Sequence, residues 1–99
     1  MTGKIPKLLR TLIEYDADLL IVPSGFHPRI QHEQKWHEVL AHPPLSSDEI
    51  LTAARDAFGE ISLSELESGK SVSSEYKGMK LEVTLQKLSD GMILMVRKN

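Results

Sequence analysis

The stretch from Ala17 to Pro44 constrains the fold more than any other part of this 99-residue sequence. It begins with a short apolar run that suits a buried central strand, and Pro23-Ser24-Gly25 interrupts that run. Residues 27–32 and 35–41 then alternate loosely between apolar and polar, and a double proline follows them. This order predicts a strand, a sharp corner and a hairpin.

The two residues between the hairpin strands fix which side chains face each other. Glu33-Gln34 lacks the Asn-Gly or Asp-Gly signal of a tight turn, but it is the natural place for one. With the turn there, Gln31 faces Trp36 and Arg29 faces Glu38. The opposite face of the hairpin is then expected to carry Pro28, Ile30 and Val39.

Apolar residues at helical spacing predict three helices. These are expected over residues 7–15, 47–59 and 62–66. Ser46 or Ser47 is predicted to cap the second helix, because a hydroxyl can accept a hydrogen bond from a free backbone N–H in the first turn. Ser62 and Glu65 stand in the register of a capping box for the third helix.

The last thirty residues change to a period of two, which predicts three strands. We expect these over residues 72–76, 80–85 and 92–96. Asp90-Gly91 is the strongest turn signal in the sequence. The predicted order is α-β-β-β-α-α-β-β-β, an α+β fold in which helices pack on a mainly antiparallel, six-stranded sheet. We expect one domain, residues 1–99.

The same periodicities predict which side chains form the hydrophobic core. The expected core residues are Leu9, Leu12, Leu19, Ile21, Ile30, Leu51, Ala54, Phe58, Leu81, Val83 and Leu94.

Charge and composition exclude several classes of function. The formal net charge is −2, whereas nucleic-acid binding usually requires a basic face. The absence of cysteine excludes disulfides and thiolate metal sites. No apolar run approaches the ~20 residues of a membrane span, and the start has no signal-peptide pattern. A cytoplasmic domain with no membrane span and no nucleic-acid partner is expected.

Gly69-Lys70-Ser71 matches the end of a phosphate-binding loop, G-x-x-x-x-G-K-[ST], but its surroundings do not. The first glycine of that motif falls at Ser64. A phosphate-binding loop follows a strand and opens a helix, so that backbone N–H groups point at the phosphates. Here the tripeptide follows a predicted helix and precedes a predicted strand. The sequence therefore predicts no nucleotide site.

Two other clusters contain residue types that can bind metal ions. Histidines recur every five residues, at 27, 32, 37 and 42, a spacing that fits neither a helix nor a strand face. We interpret them as exposed rather than as zinc ligands. Glu14, Asp16 and Asp18 are interpreted as solvated charge at a helix end rather than as a magnesium site. No cofactor, metal site or catalytic set is predicted, and the chain is not expected to be an enzyme.

Trp36 allows two interpretations. Beside Arg29 and Gln31 it could form an exposed aromatic platform for a partner, or it could lie flat and buried against a helix or the sheet. The candidate partner-binding residues are Arg29, Gln31, Trp36 and Glu38. A second candidate surface is the strand face that carries Lys80, Glu82, Thr84 and Gln86.

The pattern between Ala17 and Leu45 resembles the amino-terminal, PAS-like domain of the type IV pilus retraction and type II secretion ATPases, the PilT-like family. In that family a helix leads into an (S/A)-D-L-x-(I/L) strand, then G-x-x-P-x-I, a charged hairpin, a P-L element and a helix. The matching residues here are Ala17, Asp18, Leu19, Ile21, Gly25, Pro28, Ile30, Pro44 and Leu45. Lys80 to Thr84 and Arg97 match the family's closing strands more loosely.

The resemblance implies a PAS-like fold without the ATPase domain, because Asn99 falls about where the nucleotide-binding domain would begin. Departures from the family pattern bear on function. The closing strands of the family carry a basic pair that faces the neighbouring subunit's nucleotide, and its second position here is Glu82. Gln31 stands where the family often has arginine, and Gln34 stands at its turn glycine. The resemblance thus implies that the fold is kept while nucleotide sensing is lost.

Three hypotheses about function follow. The leading one is a non-catalytic adaptor or regulator of pilus motility, twitching or secretion. Its partner would be a protein, either a pilus or secretion ATPase or another motility protein, and the resemblance also allows self-association. The second hypothesis is a PAS-like sensor of a small ligand. The third is that the chain is an excised part of a larger ATPase, which its Met1 start argues against at that end only.

Overall fold

The computed structural model describes residues 4–98, which form three helices and six strands. The elements of the first half are α1 (Lys4–Glu14), β1 (Leu19–Pro23), β2 (Arg29–His32), β3 (Lys35–Glu38) and α2 (Ser47–Phe58). Those of the second half are α3 (Glu60–Glu67), β4 (Val72–Tyr76), β5 (Met79–Leu88) and β6 (Gly91–Lys98). The predicted order and the α+β class are confirmed.

All six strands join one sheet in the order β3-β2-β1-β6-β5-β4, and each neighbouring pair is antiparallel. The first and last strands of the chain, β1 and β6, lie together at the centre of this sheet. The first three strands and the last three strands therefore meet along the β1–β6 pairing. β3 and β4 form the two edges of the sheet.

The three helices pack on one face of the sheet. Leu8 and Leu12 of α1, Ile50 of α2 and Leu66 of α3 share one hydrophobic cluster with alternate residues of the strands. The strand members of this cluster are Leu20, Val22, Ile30, Val72, Leu81, Val83, Leu85, Met92, Leu94 and Val96. Among the described residues no helix covers the opposite face, which we call the open face.

The predicted core is correct for seven residues and wrong for β1. The residues that are buried as expected are Leu9, Leu12, Ile30, Ala54, Leu81, Val83 and Leu94. In β1 the buried residues are Leu20 and Val22, and the predicted Leu19 and Ile21 lie on the open face, half-buried. The run is apolar at every position, so its periodicity could not show which face meets the helices. Leu51 and Phe58 pack against the core but are only partly buried.

Helix ends follow the sequence at α2 and depart from it at α3. Ser46 Oγ accepts the N–H of Glu49, and Glu49 Oε1 accepts the N–H of Ser46, which completes a capping box. The capping box predicted at Ser62 and Glu65 is wrong. Gly59, with φ of 94°, ends α2 and also precedes α3, which begins at Glu60 without a side-chain cap.

Candidate functional site

The centre of the open face is apolar. Leu19 and Ile21 of β1 and Ile93 and Met95 of β6 alternate with buried residues, so their side chains point away from the helices. All four are half-buried by their neighbours on the sheet. A contiguous apolar strip on an otherwise polar sheet surface is a feature that marks interaction sites.

A single row of side chains crosses the open face from one edge strand towards the other. Trp36 lies opposite Gln31, and Gln31 lies opposite Leu19. Leu19 in turn lies opposite Arg97, and Arg97 lies opposite Glu82. The two surfaces that the sequence suggested, the hairpin and the strand bearing Glu82, are therefore two ends of one face.

The hairpin end of this face has the predicted register. Arg29 lies opposite Glu38 and Gln31 lies opposite Trp36, with Glu33 and Gln34 at the turn. The opposite side of the hairpin carries Pro28, Ile30 and Val39, which are buried as expected.

Trp36 is 48% exposed, so the structure favours the exposed platform over the buried alternative. β3 is an edge strand whose four residues are all exposed. The indole therefore stands on the outer strand, opposite Gln31 of β2, which separates it from Leu19 and the apolar strip. Tryptophan and arginine are the residue types most enriched among the anchors of protein interfaces.

Charges on the open face are balanced in opposite pairs. Arg29 lies opposite Glu38, and Arg97 lies opposite Glu82. At the far end of the face, Lys80 lies opposite Glu75. A face with three cations and three anions around an apolar centre has no net field to attract a strongly charged partner such as a nucleic acid.

A cavity of about 380 Å³ lies on the other side of the hairpin, at the end of α1. Tyr15, His32, His37, Val39 and Leu40 contribute to its lining. His32 and His37 lie on neighbouring strands, offset diagonally rather than opposite each other. The cavity falls in the size range of small-molecule sites, although it is open to solvent on one side.

Three of the four histidines are less exposed than predicted. His27 and His42 are half-buried, and the Nδ1–H of His27 donates to the His42 carbonyl oxygen at 2.9 Å. His32 is also half-buried, and its Nδ1–H donates to the Asp16 carbonyl oxygen at 2.9 Å. His37 is exposed. These two hydrogen bonds each join segments that are about fifteen residues apart in the sequence. The five-residue spacing of the histidines does not indicate this role.

The remaining candidates from the sequence are not brought together into a site. Within residues 4–98, no group of three or more His, Cys, Asp or Glu side chains is placed to hold a metal ion. Asp16 instead pairs with Lys98, with Nζ 3.2 Å from Oδ1. Gly69 follows α3 and Lys70 is exposed in the connection to β4, the reverse of the context that a phosphate-binding loop requires.

In the described part of the chain, none of the helices is long and apolar enough to cross a membrane.

Comparison with known proteins gives matches in structure only. No protein-family model matches the sequence, and no curated protein sequence matches it. The pilus retraction motor PilT with bound ADP superposes with a TM-score of 0.73 at 17% identity, over 95% of this chain and 28% of that one. The chain has the fold of the amino-terminal domain of PilT-like ATPases.

The same fold occurs in the ATPase DotB from two organisms. The Legionella pneumophila protein gives a TM-score of 0.68 at 15% identity, over 95% of this chain and 28% of that one. The Yersinia pseudotuberculosis protein gives 0.66 at 16% identity, over 96% of this chain and 29% of that one. The chain thus spans less than a third of the length of these ATPases. At this level of identity the likeness concerns the fold.

Sequence reasoning missed that the open face is continuous. The hairpin register was predictable from the turn position, but the neighbours of β1 were not. β1 pairs with β2 on one side and with β6 on the other. Leu19 therefore lies between Gln31 and Arg97. The only sequence signal for this pairing was the strongly apolar character of both strands, which is typical of the centre of a sheet.

Proposed function

We propose that this protein is a non-catalytic interaction domain that binds a protein partner through the hairpin end of its open face. The contact residues in this proposal are Arg29, Gln31, Trp36 and Glu38. The observation that carries it is the 48% exposure of Trp36 on an edge strand, with Gln31 between it and the apolar strip. An aromatic side chain and an arginine on the same face as an apolar strip provide the composition of an interface centre.

The partner in this proposal is a motor ATPase of the PilT or DotB kind, or a protein that works with one. The fold supports this partner. Because the chain has the shape of one part of such a motor, it can contact the motor surfaces against which that part packs. The balanced charges of the open face favour a partner of mixed charge. The chain would then act in the cytoplasm as an adaptor or regulator of pilus motility or secretion.

Affinity capture from the source cell tests this proposal. The chain is used as bait in three forms: unaltered, Trp36→Ala, and Ile61→Ala. Ile61 is a matched control because it is 81% exposed and lies on α3, on the helix side of the sheet. The expected result is a protein, identified by mass spectrometry, that the unaltered and Ile61→Ala baits retain and the Trp36→Ala bait loses. Equal capture by all three baits contradicts the proposal.

The small-ligand sensor remains a second candidate because of the cavity beside the hairpin. Its apolar wall includes Val39 and Leu40, and its polar groups include the imidazoles of His32 and His37. Screening for ligands that raise the melting temperature tests this candidate. A ligand at this site should lose its effect in a Leu40→Asp variant, since Leu40 is 69% exposed and its replacement should not unfold the protein.

A third candidate is that the chain is part of a complete motor. It rests on the coverage of these ATPases, 28% of the PilT chain. In that case the open face would contact another part of the same assembly, and affinity capture would return the other segments of one ATPase.

A further inference from the structure

The edge strand β4 has a free side. It ends the sheet and pairs only with β5. Among residues 4–98, no backbone hydrogen bond outside the β4–β5 ladder involves residues 72–76. The outward N–H and C=O groups of such a strand form a template for another strand.

The composition of β4 leaves this edge unprotected. Natural edge strands avoid pairing with other chains by carrying lysine or proline, by bulging or by being very short. β3, the opposite edge, has only four residues, including Lys35 and Glu38. β4 reads Val-Ser-Ser-Glu-Tyr, with neither lysine nor proline and with Glu75 as its one charged side chain.

The sequence of β4 is complementary to itself in one antiparallel register. If two copies pair with Ser74 on the two-fold axis, Val72 lies opposite Tyr76 of the other copy. Ser73 then lies opposite the other Glu75. The first pair joins a β-branched and an aromatic residue, a favourable cross-strand combination, and no like charges are opposed. Side chains also stay on matching faces, because Val72, Ser74 and Tyr76 point to the helix side in both copies.

We propose that two copies of this chain associate through their β4 strands, in antiparallel register centred on Ser74, to form one continuous sheet. A closed two-fold pair uses the same surface on both copies and leaves β3 at the outer edges. The open faces of the two copies then lie side by side and stay accessible. This inference does not depend on the proposed partner at the hairpin. Because each β4 has only five residues, the dimer is expected to be weak, with a Kd in the micromolar to millimolar range.

Substitutions of Ser73 test the register in opposite directions. Ser73→Glu places a carboxylate opposite Glu75 twice in the dimer and should raise its Kd about tenfold. Ser73→Lys creates two opposite-charge pairs instead and should lower the Kd several-fold. Ser73 is exposed but lies opposite Glu82 of β5 in the same copy, so circular dichroism and thermal unfolding check that both variants are folded before the Kd values are compared. Sedimentation equilibrium over a concentration series measures the Kd.

Cysteine pairs test the same register by geometry, since the chain has no cysteine of its own. Residues directly opposite in an antiparallel pair have Cα atoms ~4.5–5.5 Å apart, within the range of a disulfide. Mixed Ser73→Cys and Glu75→Cys proteins should therefore form a disulfide-linked dimer on oxidation. Ser73→Cys alone should not, because its two copies are offset by two residues and lie about 8 Å apart.

The proposal is overturned by any of three results. One is a protein that stays monomeric at about 1 mM, where a millimolar Kd already gives a substantial dimer fraction. Another is a dimer whose Kd is the same in Ser73→Glu and Ser73→Lys. The third is a dimer in which the mixed cysteine proteins crosslink no better than Ser73→Cys alone, which places the contact elsewhere on the molecule.

Discussion

Two residues at the tip of the hairpin hold the left-handed backbone conformation that glycine normally adopts. Glu33 has φ of 50° and Gln34 has φ of 66°, so this turn has positive φ at both central positions. A residue with a Cβ destabilises the folded state by roughly 1–2 kcal/mol when it adopts that conformation. The turn sets the register that presents Trp36, and it is a point at which the protein can be stabilised.

We predict that Gln34→Gly raises the free energy of unfolding by about 0.5–1 kcal/mol. Glycine relieves the left-handed strain, and its greater freedom in the unfolded chain offsets part of the gain. Urea denaturation measures the change. Gln86→Gly is the matched control, since Gln86 is an exposed glutamine within β5 and its replacement should lower stability. A loss of stability in Gln34→Gly contradicts the assigned turn.

Gly91 falls in the predicted turn, but its role in the structure is different from the one predicted. The sequence predicts a connection at Ser89-Asp90-Gly91, and the structure has Ser89 and Asp90 in the turn while Gly91 begins β6 opposite Leu88. A Cβ on Gly91 would lie 2.4 Å from Ser24 Oγ, which accepts the N–H of Met92. A side chain at position 91 would displace this hydroxyl from its hydrogen bond with Met92, a contact 67 residues away along the chain that local sequence cannot reveal.

At the scale of elements, α2 has the clearest sequence signal in the chain. The serine cap predicted at Ser46 or Ser47 is found at Ser46, because a helix cap forms within a single turn. The start of α3 was misjudged because Ser62 and Glu65 have the spacing of a capping box, whereas the helix begins at Glu60, directly after Gly59. In β1 the face was misjudged because every position is apolar. The start of α2 was predictable because local hydrogen bonds define it. The buried face of β1 was not, because it depends on packing against the helices.

We predict that Ser46→Ala lowers the free energy of unfolding by about 1 kcal/mol, the usual effect of losing a helix cap. The variant removes the acceptor of the Glu49 N–H and breaks the capping box. Ser64→Ala is the control, because Ser64 is exposed within α3 and alanine favours a helix interior. Thermal or urea unfolding compares the two. A Ser46→Ala protein as stable as the control would show that the cap contributes nothing.

At the scale of the whole molecule, the chain has one covered sheet face, one open face and two free edges. The periodicities correctly predicted the order of the elements and the antiparallel sheet, and the resemblance to PilT-like ATPases implied the same fold. Neither could predict that the hairpin and Glu82 belong to one surface, since that depends on the pairing of β1 with β6. The partner-binding role of Arg29, Gln31, Trp36 and Glu38 stays a prediction.

We expect the purified chain to release no phosphate from ATP in the presence of magnesium. Its only match to a phosphate-binding loop, Gly69-Lys70-Ser71, lies between a helix and a strand, where backbone N–H groups do not converge on a phosphate. A phosphate-release assay checks this, and Lys70→Ala should leave stability unchanged. Saturable ATP binding that is lost in Lys70→Ala would contradict the assignment.

The affinity of the captured partner for two single variants tests the central claim most directly. Isothermal titration calorimetry is applied to Trp36→Ala and Glu82→Ala after circular dichroism has shown that both are folded. The account predicts that Trp36→Ala loses ~2 kcal/mol of binding free energy or more, about 30-fold in Kd, while Glu82→Ala changes Kd by less than about threefold. Normal binding by Trp36→Ala together with loss of binding by Glu82→Ala would contradict it and move the interface to the far end of the open face.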